Sequence, residues 1–403
     1  MRIAVIGAGF AGLAAADHLH RNGADVAVFE ARDRVGGRVW SQPFAGAIIE
    51  RGAEFIMPGH DTLLGMAKRL GLVVFDKGMQ FGQRQFRGGI GFSADDYQVG
   101  IQNLDRALRL RQRNNRQSIT DFFSGIQLSA GVRQALLTRI AATNGYPSEQ
   151  VDVEALGDDT SDYAAYPTYT IAGGNQQIAQ VLAKSLPHVQ LNCSIDYVVR
   201  HDNGYRVGNH LMDWHADAVV LAVPVNVLRR MQFEPQLPHP KQIALANVTY
   251  GYAAKLFVAL KHPVAPSAVM SAADGYWTFT GLNEDGVPVP LVGCFGGPEA
   301  SLQAMAIDDG PEKWLKSLAL LRPELPLDLS QVLLSSWHND PWVGGVYSVR
   351  KLSAPVDNTS MVAQQFERLH FCGEHTSQDY YGYMEGALQS GLRAAQEILQ
   401  NQN

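Results

Sequence analysis

Cysteine is scarce: Cys193, Cys294 and Cys372 are the only three in 403 residues, and no two stand in a CxxC spacing. An odd, sparse set of this kind offers neither a disulfide framework nor a zinc pattern, and it points to a reducing, cytoplasmic setting. No run of about 18 apolar residues occurs, which argues against a membrane span. The chain passes from Met1 straight into a strand and a glycine turn at Gly7, so no secretory leader is expected, and residues 395–403 are polar and carry no anchor. Basic residues are in deficit, with Lys plus Arg at 33 against Asp plus Glu at 39, a net charge of −6. A nucleic-acid binder needs a concentrated basic face, so none is expected here. A GxSxG elbow, an HExxH pair, a P-loop and metal-ligand spacing among the histidines are also missing, and no metal is expected. His18 and His20 fall on the first helix, where exposure is expected.

What is present is globular. Hydrophobic residues make up 46%, enough for large cores, and the length suits two to three units at roughly 150 residues each. The 39 glycines exceed the usual ~7% and cluster near 7–12, 36–37 and 373–391. If these clusters serve one ligand, its domain is discontinuous, with another domain inserted between its parts. Residues 24–31 and 217–223 read as apolar strands of a sheet covered on both faces. Residues 253–260 read as a strand with Lys255 near its start. Residues 118–143 have helical spacing, with Ser118 or Thr120 as the cap, and 311–322 form a second helical stretch with Pro311 at its first turn. The arginines at 106, 109, 111, 113 and 116 read as a solvated helix face leading into an Asn114-Asn115 loop, rather than a phosphate site.

The first motif is local and complete. A strand over residues 2–6 leads into Gly7-Ala8-Gly9-Phe10-Ala11-Gly12 and then a helix rich in small residues. In this GxGxxG, Gly7 permits the turn, Gly9 admits a pyrophosphate, Gly12 allows close helix packing, and the helix start attracts the anion. Glu30 ends the second strand, 21 residues after Gly9, where an acid accepts ribose hydroxyls and repels a 2′-phosphate. The motif alone does not separate NAD from FAD. The next residues, Arg32-Asp33-Arg34-Val35-Gly36-Gly37-Arg38, add a second close-approach glycine pair with flanking cations, suited to a longer cofactor that uses both loops.

Together these residues resemble the flavin-dependent monoamine and polyamine oxidase superfamily. Its N-terminal FAD signature matches Gly7 through Gly12, Glu30 and Val35-Gly36-Gly37-Arg38. Gly52-Ala53-Glu54-Phe55-Ile56 is similar to the segment that passes the flavin, and Ile171-Ala172-Gly173-Gly174-Asn175 to the chain's return to the FAD domain. Val198-Val199 with Ala222-Val223-Pro224 resemble adenine-side strands, and residues 337–348 a strand running past the ring. The most specific stretch is Phe371-Cys372-Gly373-Glu374-His375-Thr376, followed by Gly382-Tyr383-Met384-Glu385-Gly386-Ala387 and Ser390-Gly391.

The resemblance implies an α/β chain: a Rossmann-type FAD-binding domain (residues 1–76, 172–238 and 352–403) with an inserted α+β substrate domain (77–171 and 239–351). FAD would touch Gly7, Gly9, Ala11, Gly12, Glu30, Arg32, Gly36, Gly37, Arg38, Val198, Gly373, Glu374 and Met384. A helix over 382–395 would turn its positive end to the ring. Some members attach FAD through a cysteine before the first cage tyrosine; Val346 stands there, so binding is expected to be non-covalent. Cys294 and Cys372 are assigned to packing. Tyr347 and Tyr383 match the aromatic cage around the amine, and Lys255 the lysine that holds a water beside the ring. Glu54 is a candidate contact for a second ammonium of a diamine, or a structural hydrogen-bonding group. The implied reaction is oxidation of a small-molecule amine by hydride transfer from the α carbon, with oxygen as acceptor and peroxide as product. Three alternatives stay open: an amino-acid oxidase using Arg84 or Arg87 for the carboxylate, a carbon–carbon desaturase, and a non-catalytic flavin module that meets partners through the Arg106–Arg116 cluster.

Overall fold

Short β-branched runs, Ile3-Ala4-Val5-Ile6, Val26-Ala27-Val28 and Val219-Val220-Leu221, are almost wholly buried in the computed structural model, which describes residues 1–112 and 115–400. Apolar on both faces, they build a parallel sheet. Its order is Leu369–Phe371, Ala218–Leu221, Arg2–Ile6, Asp25–Phe29, His188–Gln190. The first strand of the chain is thus central, and the last strand lies at one edge. This is a Rossmann-type arrangement, in which ligands sit at the carboxyl ends of the strands.

The first helix, Phe10–Arg21, covers one face of this sheet and lies against the last helix, Met384–Gln400. Small residues set the spacing. A Cβ on Gly391 would stand 2.1 Å from the Ala11 carbonyl oxygen, and one on Gly12 would stand 1.9 Å from that of Gly7. The expected helix over 382–395 therefore starts two residues later and runs to Gln400. His18 and His20 are half-buried, not exposed, because this helix is covered along much of its length.

A second, six-stranded sheet runs Leu327–Ser336, Ala254–Leu260, Leu291–Gly296, Tyr276–Thr280, Ser267–Ser271, Gln85–Arg87, antiparallel except at the last pair. Ala254–Leu260 is paired on both sides and every residue in it is buried. Lys255 therefore belongs to an interior strand, where a charge must find partners.

The helical stretch expected over 118–143 is broken in two, Ile119–Ser124 and Ala130–Asn144. Gly125 ends the first, and Ser129 caps the second by accepting from the Val132 amide. Ser118 caps the first by accepting from Asp121 N, as read from the sequence. Local cap chemistry overrides the continuous apolar spacing. The helix near 311–322 forms as Glu312–Leu321. Cys193, Cys294 and Cys372 are free and buried. Among the described residues, no helix is long and apolar enough to cross a membrane.

Two glycines should respond oppositely to alanine. Gly391→Ala forces a methyl onto a backbone oxygen that no rotamer change relieves, so stability should fall by about 1–3 kcal/mol. Gly65 is exposed in the helix Asp61–Arg69 with open space where its Cβ would go, so Gly65→Ala should gain about 0.5–1 kcal/mol. Thermal unfolding of the two variants beside the parent checks both signs.

Candidate active site

One long cavity runs from the carboxyl end of the strand Asp25–Phe29 to the start of the strand Ala254–Leu260. Its first half is built from two glycine turns that meet. Gly36 N donates to Ala8 O at 2.8 Å, and Gly36 bridges Gly9. Gly7 and Gly36 have φ of +104° and +103°, which side-chain-bearing residues rarely adopt. A Cβ on Gly9 would meet nothing within 4 Å, because that carbon opens onto the cavity. The wall there is bare backbone at the start of a helix, which suits a pyrophosphate.

Glu30 lies beside these turns. Its Oε2 accepts from Ala8 N at 2.7 Å and its Oε1 from Arg32 N at 3.0 Å. Burial raises its pKa, and those two amides and the neighbouring arginines counter this. Each oxygen keeps a lone pair for a ribose hydroxyl. Gly7, Gly9, Ala11, Arg32, Gly36, Gly37, Arg38, Gly373, Glu374 and Met384 also line the cavity. Arg32 is held by Asp340 at 2.6 Å.

Two of the expected cofactor residues do not line it. Gly12 has the packing role read from its motif. Val198 is 1% exposed and sits inside the strand Tyr197–His201, facing a core of Ile195, Val207 and Leu228. The cavity wall is formed instead by Cys193, Ser194 and Ile195 just before that strand, with Ala222, Val223 and Pro224.

Arg38 and Glu374 form a buried ion pair at the middle of the cavity. Arg38 Nη1 donates to Glu374 Oε1 at 2.7 Å and to Val346 O at 2.9 Å. Ser348 Oγ donates to Glu374 Oε1 at 2.8 Å. Burial by itself would neutralise both groups. Their mutual attraction overrides it, raising the guanidinium pKa and lowering the carboxyl pKa.

The second half of the cavity holds Tyr347, Tyr383, Lys255 and Glu54, walled by Phe55, Phe81, Trp277 and Phe295. The segment carrying Tyr347 is not the strand expected over 337–348. Only Ser348–Val349 is extended, while Gly344 and Gly345, with φ of +67° and +155°, turn the chain. Val346 N donates to Gly251 O at 3.0 Å, and the Tyr347 hydroxyl donates to Thr143 O. Tyr383 is 40% exposed and opens onto the cavity. Gly382, with φ of +88°, turns the chain just before Tyr383, and its Cα side faces Tyr347 at ordinary contact distance. Burial raises both phenol pKa values, and for Tyr347 the neighbouring Tyr383 adds to this, so both are neutral.

Lys255 is 5% exposed and donates to Glu54 Oε2 at 2.7 Å and Glu50 O at 2.9 Å. Burial lowers its pKa, and Glu54 opposes this. Glu54 accepts at its other oxygen from Lys77 Nζ at 2.5 Å. Burial alone would raise the Glu54 carboxyl; the two lysines hold it below the ordinary range. Asn175 donates to Glu54 O at 2.6 Å through its side chain and to Glu50 Oε1 at 2.6 Å through its backbone. The Gly173-Gly174-Asn175 turn therefore supports the site from behind.

The sequence reading missed Lys77, which no motif marks, and the aromatic walls. It also missed Thr143 and Asn144, whose signal is Gly145 ending the helix Ala130–Asn144 in the left-handed conformation. Neither candidate carboxylate-binding arginine lines the cavity. Arg84 stacks over Trp277 and Phe81 at 4.0 and 4.4 Å, while Arg87 is engaged by Leu321 O and Glu324. The arginine-rich stretch is not one basic face. Arg109 is exposed and pairs with Asp105, but the Arg111 side chain is 3% exposed against Glu154 and Asp158, and Arg116 is tied to Asp152. Arg113 and Asn114 lie outside the described residues. Among the described residues, no cluster of His, Cys, Asp or Glu is arranged to hold a metal ion.

Glu50 makes this site sensitive to pH. It is 2% exposed, and burial lifts its carboxyl from 4.5 to about 7. The folded protein thus keeps a proton that the unfolded chain releases, so the stabilisation is full below pH 4.5 and is lost as pH rises through 7. The loss is on the order of 3 kcal/mol at most. Urea unfolding at pH 5 and pH 8 should show the parent weakening with pH and Glu50→Gln weakening less.

Comparison with known proteins agrees with this geometry. The family model "Flavin containing amine oxidoreductase" matches residues 10–399. The putative flavin-containing monoamine oxidase AofH of Mycobacterium tuberculosis is 26% identical, over 98% of this chain and 96% of its own length. Polyamine oxidase 4 of Oryza sativa subsp. japonica is 25% identical, over 98% of this chain and 88% of its own. Among solved structures, wild-type putrescine oxidase bound to putrescine superposes with a TM-score of 0.85 at 22% identity, over 99% of each chain. Cyclohexylamine oxidase from Brevibacterium oxydans IH-35A does so with 0.84 at 20%, again over 99% of each. The chain belongs to the flavin-containing amine oxidoreductases, and FAD is its cofactor.

Proposed function

We propose that the protein oxidises a small amine at the carbon next to nitrogen, using molecular oxygen. The products are an imine, which hydrolyses to a carbonyl compound, and hydrogen peroxide. The observation that carries this reading is the convergence of two neutral phenols, Tyr347 and Tyr383, and one buried lysine, Lys255, on the same cavity as the glycine cradle. When bound, FAD takes up two electrons, formally a hydride, and returns them to oxygen.

The chain's own residues bind, orient and exclude water. Gly7, Gly9, Ala11, Gly36 and Gly37 hold the pyrophosphate, Glu30 a ribose, and Arg38, Glu374 and Met384 the portion nearer the ring. Val346 offers no sulfur for a covalent link, so the cofactor is held non-covalently. The cofactor unit comprises residues 1–76, 172–238 and 352–403, and the substrate unit comprises 77–171 and 239–351. Tyr347 and Tyr383 hold the amine between electron-rich faces and fix its reacting carbon. Lys255 has three N–H donors; two are engaged by Glu54 and Glu50, and the third is available to a water in the cavity. Its depressed pKa lets it release and recover a proton there. An amino-acid substrate lacks support, since Arg84 and Arg87 are both turned to other partners.

The purified protein should be yellow, release free FAD on acid denaturation, lose its colour anaerobically with some member of an amine panel, and form peroxide in air. Tyr383→Ala should slow amine-dependent bleaching roughly 10- to 100-fold while FAD stays bound. Lys255→Met should slow reoxidation of the bleached enzyme by oxygen by a similar factor. Stopped-flow absorbance separates the two half-reactions; unchanged rates in both variants would remove these roles.

A further inference from the structure

The choice between an amine with one nitrogen and an amine with two is written in the charges around Glu54. A second ammonium entering a cavity walled by Phe55, Phe81, Trp277 and Phe295 must meet a carboxylate there, because an unpaired buried charge is costly. Among the described residues, three side-chain carboxylates line the cavity: Glu30, Glu374 and Glu54. Glu30 stands at the far end, against Ala8 and Arg32. Glu374 is paired with Arg38 and Ser348. Only Glu54 belongs to the amine half, and both of its oxygens already face ammonium groups, Lys255 at 2.7 Å and Lys77 at 2.5 Å.

Lys77 is not a cavity-lining residue; it reaches Glu54 from behind the wall. Its backbone is clamped on both sides, Lys77 N donating to Thr168 O and Leu282 N to Lys77 O, each at 2.8 Å. Gly281 leaves room for it, since a Cβ there would stand 3.0 Å from Lys77 O and 3.6 Å from Lys77 Cε. The Lys77 side chain is 14% exposed and lies 5.5 Å from the Phe279 ring centre. The lysine is held in place and does not wander on the surface.

We propose that Lys77, pairing with Glu54 from behind the cavity wall, leaves that carboxylate no free charge for a diamine's distal nitrogen, and that this makes the site one for monoamines with an apolar or aromatic tail. The proposal rests on the amine-oxidase reading above and narrows its substrate class. Lys77 is then a specificity-determining residue, and its removal should leave Glu54 with charge available to a substrate cation.

The test uses matched pairs: butylamine with 1,4-diaminobutane, hexylamine with 1,6-diaminohexane, and benzylamine with 1,4-bis(aminomethyl)benzene. Two readouts are taken on the FAD-loaded enzyme, the rate of anaerobic bleaching and the rise in unfolding temperature that each amine produces. The parent should favour the monoamine of its best pair by tenfold or more in both. Lys77→Met and, as a more polar variant, Lys77→Gln should shrink or reverse that ratio through the diamine member. Glu54→Gln combined with Lys77→Met should lose the gain. The proposal is overturned if the parent treats both members of its best pair alike. It is also overturned if neither Lys77 variant moves the ratio. If no amine bleaches any of the proteins, the oxidase reading itself falls, an outcome distinct from bleaching without discrimination.

Discussion

A buried ion pair between residues 336 positions apart closes this chain on itself. Arg38 leaves the second glycine turn, and Glu374 follows the last strand of the parallel sheet, Leu369–Phe371. Neither charge is tolerable alone at that depth, since breaking such a pair by removing one member strands the other in a poorly polarisable interior. The pair also reaches Val346 and Ser348, which flank Tyr347. One electrostatic contact thus fixes the cofactor cradle, the C-terminal segment and one of the two phenols relative to each other.

The two halves of the cavity solve different problems with different means. The cofactor half is made of bare backbone, because a pyrophosphate is recognised by amides and needs close approach more than side chains. The amine half is made of rings and a compact charge cluster. There the protein keeps Glu54 ionised by flanking it with two lysines, and lets Glu50, which has only neutral donors in Asn175 and Ser41, drift toward protonation. Two glutamates four residues apart are therefore shifted in opposite directions, Glu50 up by burial and Glu54 down by its two lysines.

What the sequence disclosed followed from how local each signal was. Gly7 to Gly12, Glu30 and Gly36-Gly37 were legible because turn, helix start and strand end are set within a few residues. Tyr347, Tyr383 and Lys255 were legible only through their resemblance to a family; nothing in their own surroundings marks a tyrosine as a cavity wall. Val198 entered through the same resemblance, and its side chain packs in a core instead of lining the cavity. The segment over 337–348 was expected as a strand only through its resemblance to a family, and Gly344 and Gly345, whose backbone angles the fold reveals, turn it instead. Lys77 was invisible, since its meaning lies in a partner, Glu54, that the chain brings near only by pairing distant strands.

The contact of Gly391 with Ala11 has a consequence for how the protein comes into being. The first and last helices share one close-packed seam, so the earliest part of the chain to leave the ribosome waits for the latest. The two glycine turns can meet early, but the first helix lacks its last neighbour until nearly the whole polypeptide has been made, and contacts of such sequence separation form slowly. Until the last helix docks, the first helix is incompletely covered and presents apolar surface of the kind that chaperones shield.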